Sequence, residues 1–118
     1  MANIRIKRIN STMQNTLAQI IRDELKDSRL QGAIVSVLKV DVSNDLSHAK
    51  INVSIFSKNK QDAFNAILSS VPYLRKTLAR KMQLRHMPQL HFILDDSLEY
   101  AEKMNNLFSK IKNDENKK

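Results

Sequence analysis

Residues 71–97 read VPYLRKTLARKMQLRHMPQLHFILDDS, and the architecture follows from that stretch. Pro72 suits the first turn of a helix, where its missing N–H is not needed. The same proline interrupts any helix arriving from the N-terminal side. Leu74, Leu78 and Met82 then share one face of a helix running to about Gln83. Lys76, Arg80 and Gln83 cluster on its far side, and Arg75 and Lys81 flank the apolar stripe. Pro88 blocks continuation. Leu90, Phe92 and Leu94 alternate with His91 and Ile93 as a strand. Asp95, Asp96 and Ser97 supply an N-cap and an acidic first turn for a last helix over Leu98, Ala101, Met104, Phe108 and Ile111.

Working outward, Ala63, Phe64, Ile67 and Leu68 mark a helix from Lys60 that the break at Ser70, Val71 and Pro72 should end. Leu38, Val40 and Val42 alternate with Lys39, Asp41 and Ser43, and Ala49, Ile51, Val53 and Ile55 with Lys50, Asn52 and Ser54. Joined by a polar loop at 44–47, they predict a β-hairpin. Ile6, Ile9, Met13, Leu17, Ile20, Ile21 and Leu25 recur at three- and four-residue steps, predicting a helix that ends near Lys26. Ser11 and Gln14 have capping-box spacing, so that helix starts either there or earlier. Arg5, Lys7 and Arg8 accordingly belong to its first turn or to an arm ahead of it. Residues 27–32 connect to the hairpin, with Gly32 as punctuation.

The predicted order is α-β-β-α-(break)-α-β-α in an α+β fold. The first two strands pair antiparallel, and the long crossover allows the third to lie parallel to one of them. Helices should cover one face of the three-stranded sheet and leave the other more polar. The chain of 118 residues suffices for one domain, assigned to 1–112, with a polar frayed tail at 113–118.

Net charge is +8, which attracts polyanions: nucleic acid or an anionic membrane surface. The chain lacks cysteine, which excludes disulfides, thiolate metal sites and a thiol nucleophile. Gly32 is the sole glycine, which excludes a Walker loop, a dinucleotide fingerprint and a nucleophile elbow. No apolar run exceeds three residues, so neither a membrane span nor a signal-peptide core is expected, and the expected compartment is the cytoplasm. His86, His91, Asp95 and Asp96 lie close in sequence but do not share a face, and the aspartates already serve as a helix cap. No metal, no cofactor and no catalytic residues are expected, and the chain does not read as an enzyme.

The cations carry the functional reading. No acidic residue occurs between Asp62 and Asp95, so Arg75, Lys76, Arg80, Lys81 and Arg85 lack ion-pair partners nearby in sequence. Long cationic side chains on a fixed helix neutralise phosphates and give affinity with little sequence readout. The N-terminal Arg5, Lys7 and Arg8 form a second candidate group. Of the aromatic residues Phe56, Phe64, Tyr73, Phe92, Tyr100 and Phe108, most sit at core positions of their elements. Tyr73 alone stands beside the break, so single-strand recognition by an aromatic platform is not expected.

Residues 42–54, VSNDLSHAKINVS, resemble the VS-x-DL-x-x-AK-x-x-VS hairpin of bacterial ribosome-binding factor A. Residues 84–97 are similar to that family's LR-x-x-P-x-L-x-F-x-x-D-x-S segment, and Asp27, Ser28, Arg29 and Leu30 to its DPRL turn. The resemblance implies a type II K-homology-like fold with a kinked helix pair in place of a glycine-rich loop. It implies a monomer that binds the small ribosomal subunit and supports late maturation of 16S rRNA, including its 5′ end, notably in the cold. An assembly guanosine triphosphatase is the further partner implied. Ser70, Val71 and Pro72 stand where the family has an Ala-x-Gly kink. The alternatives are a protein-docking adaptor, whose charge only steers, and a general nucleic-acid chaperone.

Overall fold

Ile6, Ile9, Met13, Leu17, Ile20 and Ile21 are buried along one side of α1 (Ile4–Asp23) in the computed structural model, which describes residues 4–95. The helix starts well ahead of Ser11. Burial of Ile6 and Ile9 supplies the packing that a short isolated turn lacks, so Arg5, Lys7 and Arg8 are helical. Gln14 forms no capping box; its Nε2 donates instead to the carbonyls of Val37 at 3.0 Å and Leu38 at 3.2 Å. At the other end α1 stops at Asp23, short of Lys26, and the N–H groups of Glu24 and Leu25 both bond to Ile20 O. A 3₁₀ turn (Ser28–Leu30) follows, capped by Asp27, whose carboxylate accepts from both the backbone N and the guanidinium of Arg29. Gly32 lies at φ 75°, a left-handed conformation that its missing Cβ makes easy.

The hairpin comprises β1 (Ile34–Val42) and β2 (His48–Phe56), paired antiparallel. The first strand begins four residues earlier than the alternation at Leu38 suggests. A bulge between Val37 and Lys39 explains the difference, because the extra residue resets the parity. Val37, Val40 and Val42 are therefore the buried members, and Leu38 is only half-buried. Gln14 meets the two carbonyls at this irregularity, and Asn10 Oδ1 accepts from the N–H of Val42 at 2.9 Å. The α1 helix thus covers part of the free edge of β1, where unpaired backbone groups would otherwise recruit another strand.

The helices α2 (Lys60–Ser69) and α3 (Val71–Met82) lead to β3 (Gln89–Leu94). In α2 Ala63, Ala66 and Ile67 are buried, whereas Phe64 is half-buried and Leu68, expected in the core, is exposed. The third strand pairs parallel with β2, giving the order β1-β2-β3 with β2 central. Val37, Val40 and Val42, the odd-numbered Ala49 to Ile55, and Leu90 with Phe92 form one sheet face. Met13, Leu17, Ile20, Ala63, Ile67, Leu74 and Leu78 join them in one buried cluster. The predicted last helix and the tail at 113–118 lie outside the described residues.

Candidate nucleic-acid interface

The break between α2 and α3 falls on one residue. Ser70, at φ −91° and ψ 1°, ends one helix and begins the next. Its N–H bonds to the carbonyls of Ala66 and Ile67, and its own carbonyl accepts from Leu74 N at 2.8 Å. The Ser70 hydroxyl donates back to Ala66 O at 2.8 Å, so it does not cap α3. Pro72 removes one N–H from the first turn. The start of α3 is therefore poor in donors, and an anion there must be met by side chains. Val71 is half-buried against the core, and Pro72 is exposed.

Burial of Leu74, Thr77 and Leu78 fixes the rotation of α3 and sorts its cations. Lys76 and Arg80, one turn apart on the opposite side, are exposed and have no carboxylate partner among the described residues. Arg75 is half-buried and donates Nη2 to Met87 O at 3.0 Å and Nε to Pro88 O at 3.3 Å. It ties α3 to the segment entering β3. Lys81 reaches the other way, its Nζ 3.3 Å from Glu24 Oε2. The same carboxylate accepts from the Tyr73 hydroxyl through Oε1 at 3.2 Å. A run of sequence without acids thus acquires one from the turn that follows α1.

Arg85 is exposed in the loop before β3. That loop closes on the hairpin, where the Gln89 N–H bonds to Ser47 O at 3.0 Å. The N-terminal turn of α1 lies towards this end as well, since Asn10 meets Val42 beside the hairpin loop. Asn10 and Gln89 are thus both anchored near the hairpin loop, the first on the helix that carries Arg5, Lys7 and Arg8 and the second four residues after Arg85. Lys81 lies with Glu24 at the far end of α1, about 25 Å from the N-terminal cations at 1.5 Å per residue.

The hairpin loop is held by its own polar groups. Asp45 accepts from the hydroxyls of Ser47 at 2.6 Å and Ser43 at 2.7 Å and from the backbone of Ser47. These bonds, led by the Ser47 hydroxyl, lower its pKa to about 2. Asp27 is likewise lowered to about 2, first by the Arg29 side chain and then by the Arg29 N–H.

The sheet face opposite the helices carries residues that the charge pattern did not mark. His48 Nδ1 and His91 Nε2 are 2.9 Å apart, with ring centroids separated by 5.0 Å. Phe56 is 64% exposed beside its cross-strand partner Ile34, itself 62% exposed. Parity contained the signal, because Phe56 is out of phase with Ala49, Ile51, Val53 and Ile55.

A protein-family model described as ribosome-binding factor A matches residues 5–108. The ribosome-binding factor A of Shewanella baltica is 42% identical over 117 residues, covering 97% of this chain and 73% of that protein. The crystal structure of ribosome-binding factor A from Thermus thermophilus superposes with a TM-score of 0.67 at 27% identity, over 75% of this chain and 93% of that one. A model of the Thermus thermophilus factor, fitted into a cryo-electron microscopy map of its complex with the 30S subunit, is similar with a TM-score of 0.62. It is 28% identical and covers 74% of this chain and 91% of that one.

Proposed function

Because the chain belongs to the ribosome-binding factor A family, we propose that it is an assembly factor that binds the small ribosomal subunit and supports late maturation of 16S rRNA, including its 5′ end. It acts by binding and not by catalysis. The observation that carries this reading for the chain's own residues is the exposed, carboxylate-free pair Lys76 and Arg80 on α3. They are the primary phosphate contacts, and Arg85 with the α1 cations extends the surface at the hairpin end. Arg75 and Lys81 act mainly within the fold, orienting α3 through Met87, Pro88 and Glu24. Ser70, Val71 and Pro72 set the angle between α2 and α3. Affinity comes from these cations, and specificity comes from the shape of a near-mature rRNA surface.

The factor works as a cytoplasmic monomer within domain 1–112, and an assembly guanosine triphosphatase acts beside it. Co-sedimentation with purified small subunits, large subunits and joined ribosomes at two salt concentrations tests the reading. Salt-sensitive binding to small subunits alone, lost in Lys76→Glu/Arg80→Glu, is expected. Equal binding to every particle would leave a general polyanion binder, and an unaffected double variant would move the interface away from α3.

A further inference from the structure

We infer that Glu24 is a specificity-determining residue that withholds Lys81 from RNA, a role that rests on the reading of α3 as the phosphate-binding element. Glu24 follows the last residue of α1, and its N–H bonds to Ile20 O at 2.8 Å, which fixes where its side chain starts. Both carboxylate oxygens are engaged by α3. Oε1 accepts from the Tyr73 hydroxyl at 3.2 Å, and Oε2 lies 3.3 Å from Lys81 Nζ. Thr77, midway between Tyr73 and Lys81 at four-residue steps on one stripe of α3, is 3% exposed. One carboxylate thus spans two turns of α3 along its contact with α1.

Without Glu24, Lys81 would be a phosphate contact of the same kind as Arg80, its neighbour in sequence. A freely moving ammonium on α3 adds affinity for every polyanion and no discrimination among them. The contact with Glu24 opposes this in two ways. The ion pair is partly shielded from water, with the Lys81 and Glu24 side chains 36% and 28% exposed, so salt screens it less than it screens the outward Lys76 and Arg80. A phosphate that captured Lys81 would also meet the carboxylate left behind, and like charges repel. The Tyr73 hydroxyl occupies Oε1 and so keeps Oε2 turned to Lys81. Asp23 does not stand in for Glu24. Its carboxylate is bonded to the Arg22 guanidinium at 3.0 Å and reaches Lys81 only as a weaker, longer-range attraction. General RNA affinity is held down, while Lys76 and Arg80 keep the outward contacts that a shaped rRNA surface meets.

Anisotropy titrations of a labelled oligouridylate of about eight nucleotides with the full chain, across a potassium chloride series, test this role beside co-sedimentation with small subunits. Glu24→Gln keeps an acceptor for Tyr73 and removes the ion pair. It should raise the magnitude of the log–log salt slope on the oligonucleotide by about 0.7, so that a fivefold rise in salt weakens it about threefold more than the wild type. Its preference for small subunits over the oligonucleotide should fall. Lys81→Gln alone should leave the slope as in the wild type, because a withheld ammonium supplies no contact, and Glu24→Gln/Lys81→Gln should restore the wild-type slope. The role is refuted if Glu24→Gln lowers the melting temperature without steepening the slope, which would leave Glu24 a structural residue only. It is refuted equally if Glu24→Gln steepens the slope as much in the Lys81→Gln background, or if Lys81→Gln alone lowers its magnitude by about 0.7. Failure of the α3 reading has a separate signature: Lys76→Gln/Arg80→Gln would then bind oligonucleotide and small subunits with the wild-type slope.

Discussion

Neutralising Arg75 and neutralising Lys76 with Arg80 should have opposite signatures, although the three residues lie on two turns of one helix. The Arg75 guanidinium makes two bonds to main-chain carbonyls, at 3.0 and 3.3 Å, in half-buried surroundings. Hydrogen bonds from charged groups contribute about 1.5–3 kcal/mol each. Water replaces part of that at a half-exposed site, leaving a net loss of about 2 kcal/mol for Arg75→Gln. For a domain of this size each kcal/mol moves the melting temperature by about 4–8 °C, so a fall of about 10 °C is expected. The salt dependence of binding to small subunits should scarcely change. Lys76→Gln/Arg80→Gln removes two exposed side chains that hold nothing in the described fold, so melting should stay within a few degrees. Two phosphate contacts disappear, and the log–log salt slope should become shallower by about 1.4 if the contacts are to single-stranded RNA. Differential scanning fluorimetry and subunit binding across a potassium chloride series measure both quantities. An Arg75→Gln variant with unchanged melting and a slope reduced by about 0.7 would refute the division of labour on α3.

The acid response follows from two loops. Asp27 and Asp45 both have folded pKa values of about 2, below the ordinary carboxylate value of about 3.9. Their stabilising contribution is therefore complete above about pH 4 and is lost as the pH falls towards 2. Urea midpoints measured across that window should fall less steeply for Asp45→Asn than for the wild type, and equal steepness would argue against the Ser43–Asp45–Ser47 network. Two positive-φ positions should respond in opposite directions. Gln83, at φ 55° after α3, carries a Cβ in a left-handed conformation, so Gln83→Gly should stabilise by about 0.5–1 kcal/mol. Gly32→Ala at φ 75° should cost about 1 kcal/mol from the backbone alone, because nothing lies within 4 Å of an added Cβ. Chemical denaturation of both variants checks the pair.

The two positive-φ residues also illustrate how unevenly the sequence announces structure. Gly32 is visible as punctuation, whereas the residue type at Gln83, although the helix was expected to end near it, does not announce a left-handed conformation. The hairpin was legible from its alternation except at Leu38, where one inserted residue reversed the parity and local pattern had no means of registering it. The start of α1 was ambiguous because Ser11 and Gln14 satisfy a capping rule that burial of Ile6 and Ile9 overrides. For the candidate site, Lys76 and Arg80 were placed on the outer face of α3 by periodicity alone. Lys81 was placed beside the apolar stripe, but its partner Glu24, just beyond α1, lies too far away in sequence for local pattern to reveal.

The sequence by itself determined which segments are helices and strands, where the chain breaks at Ser70 and Pro88, and which faces are apolar. These are local properties, set by side-chain direction at periods of 3.6 and 2 residues and by the geometry of proline. Only the tertiary structure decided that β3 runs parallel beside β2, that Arg75 holds Met87 and Pro88, and that the two histidines meet across strands. Those outcomes depend on which distant segments the shared core brings together. Burial of Leu74 and Leu78 against α1 and the sheet fixes the rotation of α3, and that rotation leaves Lys76 and Arg80 facing outward.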